Sequence, residues 1–340
     1  MTTFPVSNST LSEKELGVFI KNKYNLSESF ECKLFRTGMN HTYFISNTKR
    51  KFVIRVYCHN WRTKTEIQEE LLLLELLKKN NLSVSYPISD KEDNQIQEIN
   101  APEGLRYLVL FSFAKGEKMR FMDNDTCSEI GSLMAKIHNI TDNKTINRVD
   151  YDSELLLKKS YKQLAHFFSE NLTEMRYLKE LDYNISETFE KINQLKFQKG
   201  IVHLDIWYDN LSVKDKKEIT IFDFDNCGNG LLILDIGYFC KQLFFIESDK
   251  EKYESKVESF LNGYREIREL SDEEIKLIPE AGASIFAFYL GVQAQRFDWS
   301  NIFLTENYLK MFVGRIKSWM EYYKNKKITV ANNGNRCTSL

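Results

Sequence analysis

The 340-residue chain has no excess of charge of either sign. Its 47 Lys and Arg residues offset 48 Asp and Glu, for a formal net charge of −1. That balance gives no electrostatic ground for nucleic acid or an anionic membrane as the main partner. Long apolar runs are missing too. The richest stretches, Leu71–Leu77 and Ile285–Val292, fall far short of the roughly 20 residues a bilayer requires. The N-terminal MTTFPVSNST lacks both the positive stretch and the apolar core of a secretory signal. Six cysteines, Cys32, Cys58, Cys127, Cys227, Cys240 and Cys337, show no CxxC spacing. They read as reduced thiols, so a cytoplasmic protein is expected. The five histidines show neither HxH nor HxxxH spacing, which argues against a zinc hydrolase. A serine nucleophile elbow is also absent, because Gly282-Ala283-Ser284 is not followed by glycine. No internal repeat, low-complexity segment or long linker interrupts the chain.

What is present divides by texture. Ser12 followed by Glu15 predicts a capping box and a short amphipathic helix to about Tyr24. FECKLFRT, HTYFIS and KFVIRVY, residues 30–57, are β-rich runs separated by a Gly38-Met39-Asn40 turn and a polar turn at Thr48–Arg50. TKTEIQEELLLLELLKK, residues 63–79, has helical composition and no breaker. NQIQEIN and LRYLVLFSF then resume strand character. After Lys115-Gly116 the expected helices are 124–140, 152–182, 184–197, 232–247, 250–268, 272–296 and 304–325. The expected organisation is a β-rich lobe over 1–113, a connector at about 111–117, a mainly helical lobe over 114–330 and a mobile polar tail over 331–340.

One interruption of the helical half carries the chemistry. In GIVHLDIWYDNLSV and EITIFDFDNCGNG, two short strands bracket loops dense in Asp and Asn. His203-x-Asp205 is followed five residues later by Asn210 and thirteen after that by Asp223. Phosphoryl transfer requires a carboxylate to orient a hydroxyl and accept its proton, and oxygen ligands to hold Mg2+ against phosphates. Asp205 fits the first role. Asn210 and Asp223 offer a neutral and an anionic oxygen for a hard cation. Asp and Asn also cap turns without any chemistry; the joint spacing is what favours the catalytic reading.

These segments resemble the aminoglycoside phosphotransferase and choline kinase superfamily, which shares the protein-kinase fold. HLDIWYDNLSV is similar to its catalytic loop, and IFDFDNCGNGLLILDIGYF to its metal-binding segment. The resemblance implies an α+β, two-lobed protein-kinase-like fold and an enzyme that uses ATP and Mg2+. Asp205 would be the catalytic base, His203 an orienting residue, Asn210 and Asp223 the magnesium ligands, and Asp235 an anchor of the catalytic loop. Asp225 matches a second acidic position found in some branches. In VIRVY, Arg55 stands where protein kinases place a strand lysine on the nucleotide phosphates, and Glu70, or less favourably Glu69, would pair with it. Thr37–His41, with Gly38 and Asn40, falls where the glycine-rich phosphate loop lies in kinases, although an ordinary hairpin turn explains a single glycine equally well. LVLFSFAKGE would be the lobe connector, with backbone groups near Phe111 and Phe113 meeting an adenine edge. RVYCHNWRTKTEIQEELLLLELL further resembles the branch containing bacterial stress-response and homoserine-kinase-like kinases.

The acceptor is therefore expected to be a hydroxyl of a small metabolite or antibiotic. The alternatives are a protein Ser/Thr side chain, or a nucleotide-binding regulator without catalysis. Trp207, Tyr208, Phe297, Trp299 and Phe303 form either a cation-binding box or ordinary core. Asp209, Arg296 and Asp298 are candidates to meet the substrate.

Overall fold

The computed structural model describes residues 4–193, 197–215, 218–296 and 300–334. Phe297, Asp298, Trp299, Cys337 and residues 335–340 lie outside the described residues. The chain packs as two compact units that do not follow sequence order. The first comprises Met1–Met119, Ile146–Arg148 and Tyr208–Asp225; the second comprises Arg120–Thr145, Val149–Trp207 and Asn226–Leu340.

The first unit is built on an antiparallel five-stranded sheet. Its strands are β1 (Glu31–Arg36), β2 (Asn40–Ser46), β3 (Lys51–Tyr57), β4 (Ile96–Ala101) and β5 (Gly104–Ser112), in the order β1-β2-β3-β5-β4. Strand alternation splits its residues into two faces. Tyr43, Ile45, Ile54, Val56, Leu108 and Leu110 form one buried cluster with Leu16 and Ile20 of helix α1 (Glu13–Lys23). Val53, Arg55 and Phe111 alternate onto the opposite face. The Ser12 hydroxyl accepts from the Glu15 N–H at 3.4 Å, so α1 has the first half of the expected capping box. Helix α2 (Lys64–Lys79) has both halves, formed by Thr63 and Glu66. A separate hairpin, β8 (Leu211–Lys214) with β9 (Glu218–Ile221), belongs to this unit. Bridges Val84↔Ile221 and Glu117↔Val213, and a 2.8 Å hydroxyl bond between Ser83 and Thr220, hold it there.

The second unit is helical around a small sheet. Its strands β6 (Asp150–Tyr151), β10 (Gly228–Leu231) and β7 (Lys199–Val202) lie in that order. Where the sequence predicts two strands around the Asp/Asn-rich loops, the chain forms four, because each half finds its own antiparallel partner: β7 with β10 and β8 with β9. The helices are α3 (Asn124–Ile140), α4 (Ser160–Ala165), α5 (Thr173–Asn193), α6 (Ile233–Ile246), α7 (Lys250–Arg265), α8 (Asp272–Ile275), α9 (Ile278–Gln295) and α10 (Glu306–Gly334). The expected helix over 152–182 is instead a wide π-type turn at Glu154–Lys159 leading into α4, then a break before α5. At the break the Ser169 hydroxyl accepts from the Asn171 N–H and its carbonyl from the Leu172 N–H, a local turn that competes with the helix. Pro279 opens α9 and separates it from α8 where one helix over 272–296 is expected. The last helix extends through Gly334, beyond the 325 expected from sequence.

Helices α3 and α7 approach backbone to backbone. A Cβ on Gly131 would meet the Phe260 carbonyl oxygen at 2.0 Å, and one on Gly263 the Ser128 carbonyl oxygen at 2.1 Å. Neither neighbour is a flexible side-chain end, so the helices must separate to admit a methyl group. Gly131→Ala and Gly263→Ala are each expected to lower the unfolding free energy by about 2–3 kcal/mol, the upper part of the range for overpacking. Urea denaturation of the two variants checks this, and a loss below the error of the measurement would show that the helices slide apart at no cost.

Candidate active site

Within the first unit, β3 presents Arg55 on the sheet face opposite α1. Its guanidinium forks between two carboxylates, with Nη1 donating to Glu70 Oε1 at 2.7 Å and Nη2 to Asp223 Oδ1 at 2.8 Å. Glu70 lies among the buried residues of α2 and its side chain is fully buried. A charge in that position requires partners. They are Arg55, the Tyr57 hydroxyl at 3.1 Å and the Arg148 guanidinium at 3.8 Å. Burial works against the charged form of Arg55, but Glu70 and then Asp223 outweigh it and raise its pKa further, so Arg55 remains a cation. Of the two glutamates considered from sequence, Glu70 makes this pair, while Glu69 accepts from the Asn147 N–H at 3.1 Å.

Arg55 lines a cavity of about 170 Å3. That compares with the ~150 Å3 of apolar cavities that admit one aromatic ring. Val53, Phe44, Phe111, Phe113 and Phe222 supply apolar wall, and Arg36 and Lys118 add cationic groups. The Phe111 backbone is occupied in the sheet opposite Val53, so its ring, not a backbone edge, faces the cavity. Gly38 and Asn40 sit at the β1–β2 turn and are not among the residues lining it. Asp209 bridges the two cations, with Oδ1 2.5 Å from Lys118 Nζ and Oδ2 3.3 Å from Arg36 Nη1. Burial would raise the pKa of Asp209, but Lys118 and Arg36 together hold it below the usual carboxylate value.

The β8–β9 hairpin brings both expected metal ligands to one end. The Phe222 N–H donates to the Asn210 carbonyl at 3.1 Å, just beyond the Leu211↔Ile221 pair, and Asp223 follows directly. Asp223 has a φ of +67°, a left-handed conformation that Asp tolerates better than most residues. A carboxylate and an amide oxygen together suit a hard divalent cation. Among the described residues no group of three or more His, Cys, Asp or Glu forms a metal cage. Asn210 and Asp223 are the residues that would hold such a cation. Asp225 does not join this set. Its carboxylate accepts from Trp61 Nε1 at 2.8 Å and Arg62 Nε at 3.1 Å, and its carbonyl accepts from Arg62 and Arg148. Burial would raise its pKa, but Arg62, then Arg55 and Arg148, hold it well below the usual carboxylate range. It therefore acts as an internal anchor for the loop after Asp223.

In the second unit, β7 runs into His203-Leu204-Asp205. Asp235, in the first turn of α6, accepts the N–H groups of His203 at 2.9 Å and Leu204 at 2.6 Å, and His138 Nε2 lies 3.2 Å away. Those bonds hold Leu204 at φ +61°, a conformation that costs a residue with a Cβ about 1–2 kcal/mol. The Asp205 N–H donates to His203 Nδ1 at 3.1 Å, so His203 orders the loop through its ring. The Tyr238 hydroxyl donates to Asp205 Oδ1, and the Tyr289 hydroxyl donates to the Leu204 carbonyl at 3.1 Å. Burial first, and then the nearby Asp205, raise both phenols well above their ordinary pKa, so both remain donors.

Tyr238, Tyr289, Trp61, Arg62 and Arg148 were not identified from the sequence. Tyr238 was accessible in principle, being one helical turn beyond Asp235; the others arrive from distant segments without a local signal. Of the candidate aromatic box, Phe303 packs on Tyr308 with ring centroids 5.2 Å apart. Phe297 and Trp299 lie outside the described residues.

The model of the phosphotransferase enzyme family (APH) matches residues 31–270. A homoserine kinase of Bradyrhizobium diazoefficiens is 25% identical over 293 residues, covering 85% of each chain. Among solved structures, a microcompartment-associated aminopropanol kinase superposes with a TM-score of 0.76 at 20% identity, over 93% of this chain and 98% of that one. An amicoumacin kinase in complex with AMP-PNP and Ca2+ gives 0.74 at 21% identity, over 91% and 94%. The α+β fold, with its β-sheet unit and its helical unit, is that of the protein-kinase-like phosphotransferases. The chain belongs to the phosphotransferase enzyme family. No helix among the described residues is long and apolar enough to cross a membrane.

Asp225 and Asp223 separate anchoring from ligand roles by stability. Asp225→Ala is expected to cost about 3–5 kcal/mol, because Trp61 Nε1 and Arg62 Nε lose a buried carboxylate acceptor, while the carbonyl that Arg148 bonds remains. Asp223→Ala should stay within about 1 kcal/mol, since Asp223 is partly exposed and Arg55 retains Glu70. Urea melts at neutral pH read both values, and equal losses would contradict the assignment.

Proposed function

We propose that this enzyme transfers the γ-phosphoryl group of ATP, with Mg2+, to a hydroxyl of a small molecule in the cytoplasm, without nucleic acid or membrane as partner. The observation that carries this reading is the Glu70–Arg55–Asp223 chain. One guanidinium ties a buried helix carboxylate to a carboxylate on the hairpin that also bears Asn210. The likeness to enzymes named as homoserine and aminopropanol kinases supports a small alcohol as acceptor over a protein side chain.

In this reading the first unit takes the nucleotide. Phe111 and Phe113 flank the adenine, Arg55 and the backbone of the Gly38–Asn40 turn meet phosphate oxygens, and Asn210 and Asp223 are the ligands for Mg2+. The bound cation would neutralise charge that develops on the phosphate oxygens. Asp205 orients the acceptor hydroxyl. The hydroxyl oxygen bonds to the γ-phosphorus, the bond to the β–γ bridging oxygen breaks, and the proton passes to Asp205 late in the transfer. ADP and a phosphate monoester result. Because little charge reaches the base before the phosphorus bond forms, an ordinary carboxylate is basic enough. Tyr238 and Tyr289 fix its direction and His203 holds its backbone.

Asp205→Ala is expected to reduce kcat by about 10^2–10^4 while leaving the dissociation constant for Mg·ATP unchanged by calorimetry. Asp223→Ala should instead weaken Mg·ATP itself, with the ATP affinity measured in EDTA much less affected. Wild-type turnover by the Asp205 variant would overturn the assignment of the base. An absence of Mg·ATP binding by the wild-type chain would overturn the proposal entirely.

A further inference from the structure

The transfer just described makes no use of Lys241, a buried amine beside the catalytic loop. Lys241 is on α6, three residues beyond Tyr238, and only 3% of its surface is exposed. Its Nζ lies 4.1 Å from the ring centroid of Tyr238, 4.2 Å from that of Phe286 and 5.8 Å from that of Tyr289. Two of these rings carry the hydroxyls that hold the Asp205 loop, so Asp205 and Lys241 share Tyr238 and Tyr289 as walls. Ring faces attract an ammonium but leave its three N–H donors without a lone-pair acceptor. Among the described residues no protein acceptor lies within hydrogen-bond or ion-pair distance of Nζ, and Nζ is not among the buried side-chain atoms shut off from solvent without a partner. Burial pushes the amine down to about 7, with Asp205 opposing and Arg315 reinforcing that shift. A mostly buried amine of this kind has few partners of its own, and an anion that reaches Nζ is a stronger one than water.

We propose that Lys241 is a specificity-determining residue that binds the carboxylate of the acceptor, so that the substrate is a small hydroxy acid or hydroxy amino acid. The inference rests on the kinase reading above and adds the acceptor's chemical class. A single ammonium matches a singly charged carboxylate, whereas phosphate groups are more often met by the fork of arginine. An anion at Nζ supplies the missing acceptor, while the hydroxyl at the other end of the molecule meets Asp205. The carboxylate keeps its charge throughout and only the hydroxyl proton moves. Polycationic acceptors of the aminoglycoside type would instead face repulsion from Lys241. The ring faces of Tyr238, Phe286 and Tyr289 are thus already occupied by the protein's own amine.

The test compares acceptors with and without the carboxylate. L-Homoserine, 3-amino-1-propanol (the same molecule without that group) and 4-hydroxybutanoate are assayed with Mg·ATP. Hydroxy acids of three to six carbons and their amides are titrated calorimetrically in the presence of Mg·AMP-PNP. At least one acid is expected to bind the full-length wild-type chain at least ~30-fold more tightly than its neutral or decarboxylated counterpart, the scale of losing a buried charged partner. Lys241→Met should raise the KM for that acid by a similar factor. Its kcat on an uncharged alcohol and its Mg·ATP affinity should stay within about twofold of wild type, with an equal or higher Tm because a buried charge is gone. The wild-type comparison does not depend on how the variant folds. Equal affinity for acid and amide, binding by no acid, or a Lys241→Met loss that is the same for charged and uncharged acceptors would overturn the inference. If uncharged alcohols are phosphorylated while no acid binds, the kinase reading survives and this one fails. If Mg·ATP itself fails to bind, the kinase reading falls first and the inference falls with it.

Discussion

A carboxylate with almost no access to water is costly to bury unless donors surround it, and Asp235 imposes that constraint on the catalytic loop. Its donors are the N–H groups of His203 and Leu204 and the ring of His138. Satisfying them forces Leu204 into the left-handed region and fixes where the next residue points. That residue is Asp205. Local strain and base orientation are therefore consequences of one buried carboxylate. Tyr238 follows from the same arrangement, because a residue three positions along α6 occupies the face adjoining the anchor.

Charge burial organises the first unit as well. Arg55, Glu70 and Asp225 are each nearly removed from solvent; Arg55 and Glu70 each make two ion pairs, and Asp225 makes one with Arg62 besides its bond from Trp61. Such pairs add little net stability relative to apolar packing, yet breaking one is expensive, so they specify geometry. Arg55 suits this position because its fork reaches two carboxylates at once, one on α2 and one after β9. A lysine there would offer a point charge and no fixed plane.

Much of this was legible in the sequence, for physical reasons. Strands β1 to β5 and helix α2 declare themselves through β-rich runs, turns and helical composition without a breaker, all of which are local. Asp205, Asn210 and Asp223 stand out because their chemistry demands fixed residue types at near-fixed spacing. The break at 166–172 was hidden, since no glycine or proline marks it and only the turn bonds to Ser169 select it. Gly131 and Gly263 gave no signal, because a close helix crossing involves two distant positions whose mutual approach is set by neither segment alone.

The sequence by itself determined which elements form and which residue types carry the chemistry, because periodicity, caps and motif spacing are properties of contiguous chain. Tertiary structure alone decided which unit the 208–225 hairpin joins, how Asp225 is saturated by Trp61, Arg62 and Arg148, and why Lys241 stands buried beside the tyrosines of Asp205. Each of those is a matter of pairing and desolvation between groups far apart in sequence. The free energy of a charge depends on what surrounds it, and only the folded chain supplies the surroundings.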